Sequence, residues 1–298
     1  MKHSASDKAI LEQLTHWAEQ QPLVRAMLLT SSRAIPQAPS DVFSDYDVIL
    51  ALRDVQPFYA DRTWLEAFGP VLVLYRDPLI HDRGLARSAY VTQYENGLKI
   101  DFSLWPVELL QQVVADPKLP DELDAGYQVL LDKDQLTDGL KPPTYAAYIP
   151  LPPTETEYQE TVEVFFLEAT YVAKLLWRDD VMAAKHILDE LMKQEHLRPM
   201  LEWRMELEHQ WSVKLGPYGR RLKQWLRPDL WSELERTYTG AELEANWAAL
   251  FETIGLMRRV ASEVGERMGY GYPQGLEQRV VAYLQKVRQL EREAESFG

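Results

Sequence analysis

The sequence predicts an α+β protein with a mixed β-sheet and flanking helices in its first half and a helical bundle in its second. Three observations predict this. Short β-branched and aromatic runs, punctuated by turn residues, recur between residues 24 and 134. Pro142, Pro143, Pro150, Pro152 and Pro153 then crowd a short stretch, as linkers do. From residue 154 onward apolar residues recur at helical spacing. The expected division is 1–141, a linker at 142–153, and 154–298.

The first element is an amphipathic helix over 7–20, with Ile10, Leu11, Leu14 and Trp17 on one side. VRAMLLT at 24–30 reads as a strand. Ser31-Ser32-Arg33 leaves it in a tight polar turn. The loop 34–44 carries Pro36 and Pro39 and is not regular structure. Asp45 and Asp47 open a second strand over 46–52. A helix follows at 61–68 and a short apolar strand at 71–75. Residues 76–87 lack periodicity and read as a loop, on which His81 beside Asp82 is a surface histidine. SAYVTQY at 88–94 and LKIDFSLW at 98–105 form a hairpin around Glu95-Asn96-Gly97, a strong turn signal. A helix begins near Pro106, and 128–134 closes the half as a strand or turn.

In the second half, Thr154-Glu155-Thr156-Glu157 is a capping box, which starts a helix running to about Asp179. Further helices are expected at 180–194, 199–212, 217–226, 229–238, 242–268 and 276–291. Trp177, Trp203, Trp211, Trp225, Trp231 and Trp247 fall among them, most of them as core.

Chemistry concentrates in Leu28–Leu52, LLTSSRAIPQAPSDVFSDYDVILAL. Side chains alternate along a strand, so Asp45 and Asp47 share a face. Two adjacent carboxylates repel, and a divalent cation with oxygen ligands such as Mg²⁺ resolves the repulsion. An Asx-rich turn before a buried strand is the alternative. Asp101 adds a third acid. It alternates with Ile100, Phe102 and Leu104, sharing Lys99 and Ser103's face, and Asp is depleted in strand interiors.

A small polar turn, D-x-D and then a lone strand Asp is the pattern of the nucleotidyltransferase superfamily that includes DNA polymerase beta. SSRAIPQAPSDVFSDYDVIL, NGLKIDFSLWPVE, PTETEYQETVEVFFLEATYVAKLLWR, RPMLEWRMELE and MGYGYPQGLEQRVVAYLQKVRQL together resemble the aminoglycoside 6-adenylyltransferases, over nearly the whole chain and in the family's order. The family usually carries Gly-Ser before the Arg, and here Ser31 takes the Gly position. The resemblance implies a nucleotidyltransferase domain followed by a helical domain, with the active site in a cleft between them. It implies transfer of AMP from ATP to an aminoglycoside hydroxyl, the 6-hydroxyl of streptomycin, as a resistance activity.

On this reading Asp45 and Asp47 hold Mg²⁺, with two ions expected. Asp101 completes a second metal site, acts as general base, or does both. Ser31, Ser32 and Arg33 meet phosphate oxygens. Lys174 contacts phosphate or, alternatively, lays its stem along the surface. Glu202 and Glu206, near Trp203, meet the cationic sugar or form a solvated face. Rival readings are a nucleotidyltransferase for a lincosamide or a protein hydroxyl, and a non-catalytic antitoxin-like module.

Composition agrees with these expectations. Hydrophobic residues make up 46% and charged residues 26% of 298, ordinary values for a globular protein. With no cysteine there is no disulfide or thiolate site. A formal charge of −14 disfavours nucleic acid, which is bound through clustered Lys and Arg, and suits a cationic substrate. No apolar run is long enough for a membrane span, and the first residues lack the apolar core of a signal peptide. A cytoplasmic protein is the expectation.

Overall fold

The computed structural model describes residues 5–35, 41–294 and 296–297. Pro36 and Pro39 of the expected loop lie outside them. The chain divides into two compact units, Met1–Ala147 and Tyr148–Gly298.

The first unit is built on β1 (Val24–Thr30), β2 (Tyr46–Leu52), β3 (Val71–Arg76), β4 (Ile80–Asp82), β5 (Leu85–Tyr94), β6 (Lys99–Pro106) and β7 (Tyr127–Asp132). Its helices are α1 (Ala5–Gln20), α2 (Ser31–Ala34), α3 (Gln56–Ala60), α4 (Val107–Ala115) and α5 (Asp121–Asp124). Strand order is β3-β5-β6-β2-β1-β7, with β4 on β5. Among the described residues β2 and β6 run parallel, and the other pairs are antiparallel. The sheet is therefore mixed, as expected.

Alternation gives the sheet two apolar faces. Val48, Leu50, Ile100, Phe102 and Leu104 pack with Leu14, Trp17, Phe58 and Phe68 on one side. Trp17 stacks on Trp64 at 5.3 Å, and Trp64 meets Phe102 edge-on at 4.9 Å. Ala26, Leu28, Ile49, Ala51 and Trp105 pack on Leu109, Leu110 and Val113 of α4 on the other. Asp47 and Asp101 have the parity of this second face. Lys133 ties α1 to the sheet by donating to the carbonyls of Ala18, Glu19 and Gln21, each at 2.9 Å, which satisfies acceptors a helix end leaves open.

The expected hairpin at 95–97 is present. Gly97 has φ +86°, and Asn96 Oδ1 accepts from the Leu98 N–H at 3.0 Å. The expected loop at 76–87 is instead a second hairpin, with Asp82 opposite Leu85. Its turn is Arg83-Gly84, both at positive φ, the geometry two-residue hairpin loops need. The expected helix at 61–68 is a 3₁₀ turn over Thr63–Phe68, preceded by α3.

The second unit is helical: α6 (Glu155–Arg178), α7 (Val181–Lys185), α8 (Arg198–His209), α9 (Leu222–Trp225), α10 (Pro228–Arg236), α11 (Leu243–Met268) and α12 (Gln274–Gln289). The capping box forms, with Thr154 Oγ1 accepting from the Glu157 N–H and the Glu157 carboxylate accepting from the Thr154 N–H. Tyr158 donates to the Ala261 carbonyl at 2.8 Å across to α11. Between α7 and α8 the chain keeps winding as a π-helix, His186–Leu197, where two separate helices were expected. Pro199 lies in the first turn of α8, where its missing N–H breaks no bond internal to that helix. The expected helix 217–226 is a 3₁₀ turn and then α9. Of the six tryptophans expected mostly in the core, Trp247 is buried and Trp225 exposed, while Trp177, Trp203 and Trp231 pack partly against the core. No helix among the described residues is long and apolar enough to cross a membrane.

Candidate active site

The candidate site lies where β1 ends and the parallel pair β2 and β6 begins. The register sets Thr30 opposite Asp47 and Asp47 opposite Asp101. Pairing across three adjacent strands therefore brings together residues that lie far apart in the chain.

β1 leaves the sheet through Ser31, whose φ is +58°. This left-handed conformation favours glycine, which accounts for a Gly at the corresponding place in the resembled family. The Ser31 side chain lies near enough to Asp47 to oppose the rise in its pKa, and Thr30 Oγ1 reaches the Asp47 carbonyl at 3.4 Å. Ser32 follows in α2, half-buried.

Arg33 does not present a free guanidinium for phosphate. It donates from Nη1 to Asp7 at 2.6 Å, from Nη2 to the Ser44 carbonyl at 2.6 Å, and from Nε to the Ser44 and Asp45 carbonyls at 3.1 Å. It also covers the Tyr46 ring at 3.9 Å. The Tyr46 hydroxyl donates to the same Asp7 carboxylate at 2.9 Å. Burial, reinforced by that bond, pushes the phenol up to about 12. In this arrangement Arg33 clamps the backbone that delivers Asp45 and Asp47.

Asp45 and Asp101 meet at one ammonium, and Asp47 is paired in register with Asp101. Lys99 Nζ bridges two of them, at 2.6 Å from Asp45 Oδ2 and 2.7 Å from Asp101 Oδ2. Burial pulls the Lys99 pKa down, but its bonds to Asp101 and Asp45 outweigh that and raise it. Asp101 is raised, by burial first, with Lys99 opposing. Its Oδ1 is buried and has no hydrogen-bond partner. Asp47 is pushed up to about 6 by burial and then by the charge of Asp101, with the Ser31 side chain opposing. Among the described residues, no group of three or more acidic, His or Cys side chains is arranged to hold a metal ion. Between Asp45 and Asp101 the positive charge is supplied by the Lys99 ammonium.

Lys99 stands at the centre of these contacts and was not among the residues singled out in the sequence, although its position two residues before Asp101 on a strand puts both on one face. Asp7 was also missed. It lies 26 residues from Arg33 with no local signal.

The other predicted residues belong to the second unit. Lys174 is half-buried on α6, its ammonium 4.9 Å from the Tyr171 ring centre. Glu202 is paired with Arg198 at 2.7 Å, and burial raises its pKa while Arg198 opposes. Glu206 is 0% exposed and accepts from the Ser212 and Val213 N–H groups at 2.9 and 3.1 Å. A groove of about 610 Å³ between α6 and α12, lined by Glu163, Phe166, Thr170 and Arg279 among others, contains none of the predicted site residues.

The comparisons cover both units. A family model described as streptomycin adenylyltransferase matches residues 4–287. The aminoglycoside 6-adenylyltransferase of Campylobacter jejuni is 27% identical over 90% of this chain and 91% of its own. The enzyme of that name from Bacillus subtilis (strain 168) is 28% identical over 90% and 93%. A crystal structure of an aminoglycoside 6-adenyltransferase from Bacillus subtilis aligns with 97% of this chain and 100% of its own, at 23% identity and a TM-score of 0.48. A match that starts ahead of α1 and ends within α12 takes in the acid-bearing strands and the helical unit alike, and this chain belongs to the streptomycin adenylyltransferase family.

Proposed function

We propose that this enzyme transfers AMP from ATP to the 6-hydroxyl of streptomycin, with Mg²⁺ bound by Asp45, Asp47 and Asp101. Family membership supports the coarser part, adenylylation of an aminoglycoside. The observation that carries the assignment to these residues is their convergence on adjacent strand ends. All the donors are carboxylate oxygens, and the unpartnered Asp101 Oδ1 is buried. Both features suit a hard divalent cation.

In the reaction the acceptor oxygen bonds to the α-phosphorus. The bond from that phosphorus to the oxygen bridging toward the β-phosphate breaks, and pyrophosphate leaves. Such transfers depend on positioning and on neutralising charge. Mg²⁺, when bound, supplies that neutralisation on the phosphate oxygens. Asp101 receives the hydroxyl proton. Ser31 sits near Asp47, Ser32 lies beside the same turn to meet phosphate, and Arg33 fixes the backbone of Ser44 and Asp45. Lys174 is assigned to the triphosphate through a charge-assisted contact. Lys174→Ala should therefore raise the ATP Michaelis constant with little change in antibiotic affinity, and unchanged ATP kinetics would return Lys174 to a surface role.

The test is incubation of purified protein with ATP labelled at the α-phosphate, Mg²⁺ and streptomycin. Label should appear on the antibiotic in step with pyrophosphate. A folded, pure protein that moves no label to any aminoglycoside would overturn the reading.

A further inference from the structure

Asp45 and Asp101 meet at the strand ends, with Asp47 opposite Asp101 in register, and the cation between the first two belongs to the chain itself. The Lys99 ammonium touches Asp45 Oδ2 and Asp101 Oδ2 at hydrogen-bond distance. Its side chain and both partners are only partly exposed, at 28%, 36% and 25%. Asp45 and Asp101 cannot turn these oxygens to a divalent cation while the ammonium bridges them, because two positive centres would then share the same acceptors. Lysine is suited to leaving. Its charge is a compact head on a flexible four-carbon stem, and the rim of the sheet gives that head a short path to water.

We propose that Lys99 is a built-in placeholder cation. It bridges Asp45 and Asp101 while the metal is absent and swings away as the acids take up a divalent ion, so that the two cations exclude each other. This rests on the metal-dependent reading above. Lys99 is then a positioning residue with two consequences. It holds the acids together before loading. It also weakens apparent metal affinity, because only the fraction of molecules with Lys99 withdrawn can bind. Once withdrawn, its ammonium is left beside a site whose substrate carries phosphates.

The test uses the unaltered protein and an amine-acylating reagent, with labelling of each lysine followed by mass spectrometry. Mg²⁺ or Mn²⁺ should raise Lys99 labelling several-fold relative to the other lysines of the same sample, and Asp47→Asn should abolish the response. In parallel, calorimetric titration with Mn²⁺ should give affinity about tenfold tighter in Lys99→Met, as expected if about nine molecules in ten hold Lys99 inward. Lys99→Arg, which keeps the charge, should stay near the parent. Mn²⁺ binding with Lys99 labelling unchanged or reduced overturns the placeholder while leaving the metal reading intact. Absence of Mn²⁺ binding by the unaltered protein overturns both.

Discussion

Asp47 links a stability cost to the role proposed for it in transfer. Burial and the neighbouring Asp101 push it from an ordinary 3.8 to about 6. Between those values the folded protein binds the proton and the unfolded chain does not, so stability falls as pH rises through that window. About two units correspond to about 3 kcal/mol at pH 8. Asp47→Asn removes this cost. In the presence of chelator it should be more stable than the parent at pH 8 by up to about that amount and level with it below pH 4, while losing transfer altogether. Denaturant melts at both pH values decide this, and equal stability of the two proteins at pH 8 would sink the burial account. Ser31 is the complementary case. A left-handed non-glycine residue costs about 1–2 kcal/mol, but Gly loses more backbone freedom on folding, so Ser31→Gly should change stability by less than about 1 kcal/mol. Loss of the hydroxyl removes a neighbour that lowers the Asp47 pKa, so the acid limb of the kcat/KM profile should move to higher pH. An unmoved limb would show that the hydroxyl does not act through Asp47. The acids were legible in the sequence because alternation is a local rule. Lys99 was as legible by that rule but was read only as a neighbour on the face. The burial of Arg33 was not legible, since its partner Asp7 comes from another element.

At the scale of elements, helices and strands with strong periodicity were readable and their joints were not. The Arg83-Gly84 hairpin is short and its strand β4 exposed, so no apolar alternation announced it. The π-helix before α8 keeps buried positions at Leu188, Met192 and Leu197, and such a spacing reads as two ordinary helices. The burial of Glu206 was not legible for a related reason. A glutamate on a helix near tryptophan reads as surface, yet here it secures the exit from α8, where Gln210 and Trp211 both have φ +56°. Two successive left-handed residues turn the Ser212 and Val213 N–H groups back toward the helix, and the Glu206 carboxylate accepts both. Glu206→Ala strands the buried Val213 donor at about 1–3 kcal/mol and the half-buried Ser212 donor at less, so a loss of about 2–4 kcal/mol is expected in a urea melt. Calorimetry on the folded variant should find streptomycin affinity close to that of the parent. A selective loss of antibiotic binding with unchanged stability would restore Glu206 as a substrate contact.

At the scale of the whole molecule, the fold class was readable because composition changes along the chain, from β-branched runs and turns to helical periodicity. The acceptor is harder to read, since no single residue defines it. Net charge does bear on it. At −14 the protein repels polyanions and draws cations toward acidic surfaces. Streptomycin carries two guanidinium groups on its streptidine ring, and a guanidinium stays charged at any physiological pH, pairs with carboxylates in a fixed planar geometry and stacks on aromatic rings. An acceptor of this kind gains from long-range attraction as well as from contact, and the attraction is screened beyond about 8 Å at physiological ionic strength. Two outcomes are therefore expected when pyrophosphate release is followed with ATP and Mg²⁺. Streptomycin should be used in preference to kanamycin and lincomycin, which lack streptidine. Its Michaelis constant should rise as salt is increased, while turnover at saturation changes little, because screening acts on encounter and binding rather than on the bonds made at the phosphorus. Preferential release with kanamycin or lincomycin would remove streptomycin as the substrate and leave adenylyl transfer in place. A salt-independent Michaelis constant would instead show that short-range contacts, and not the field of an acidic protein, select the acceptor.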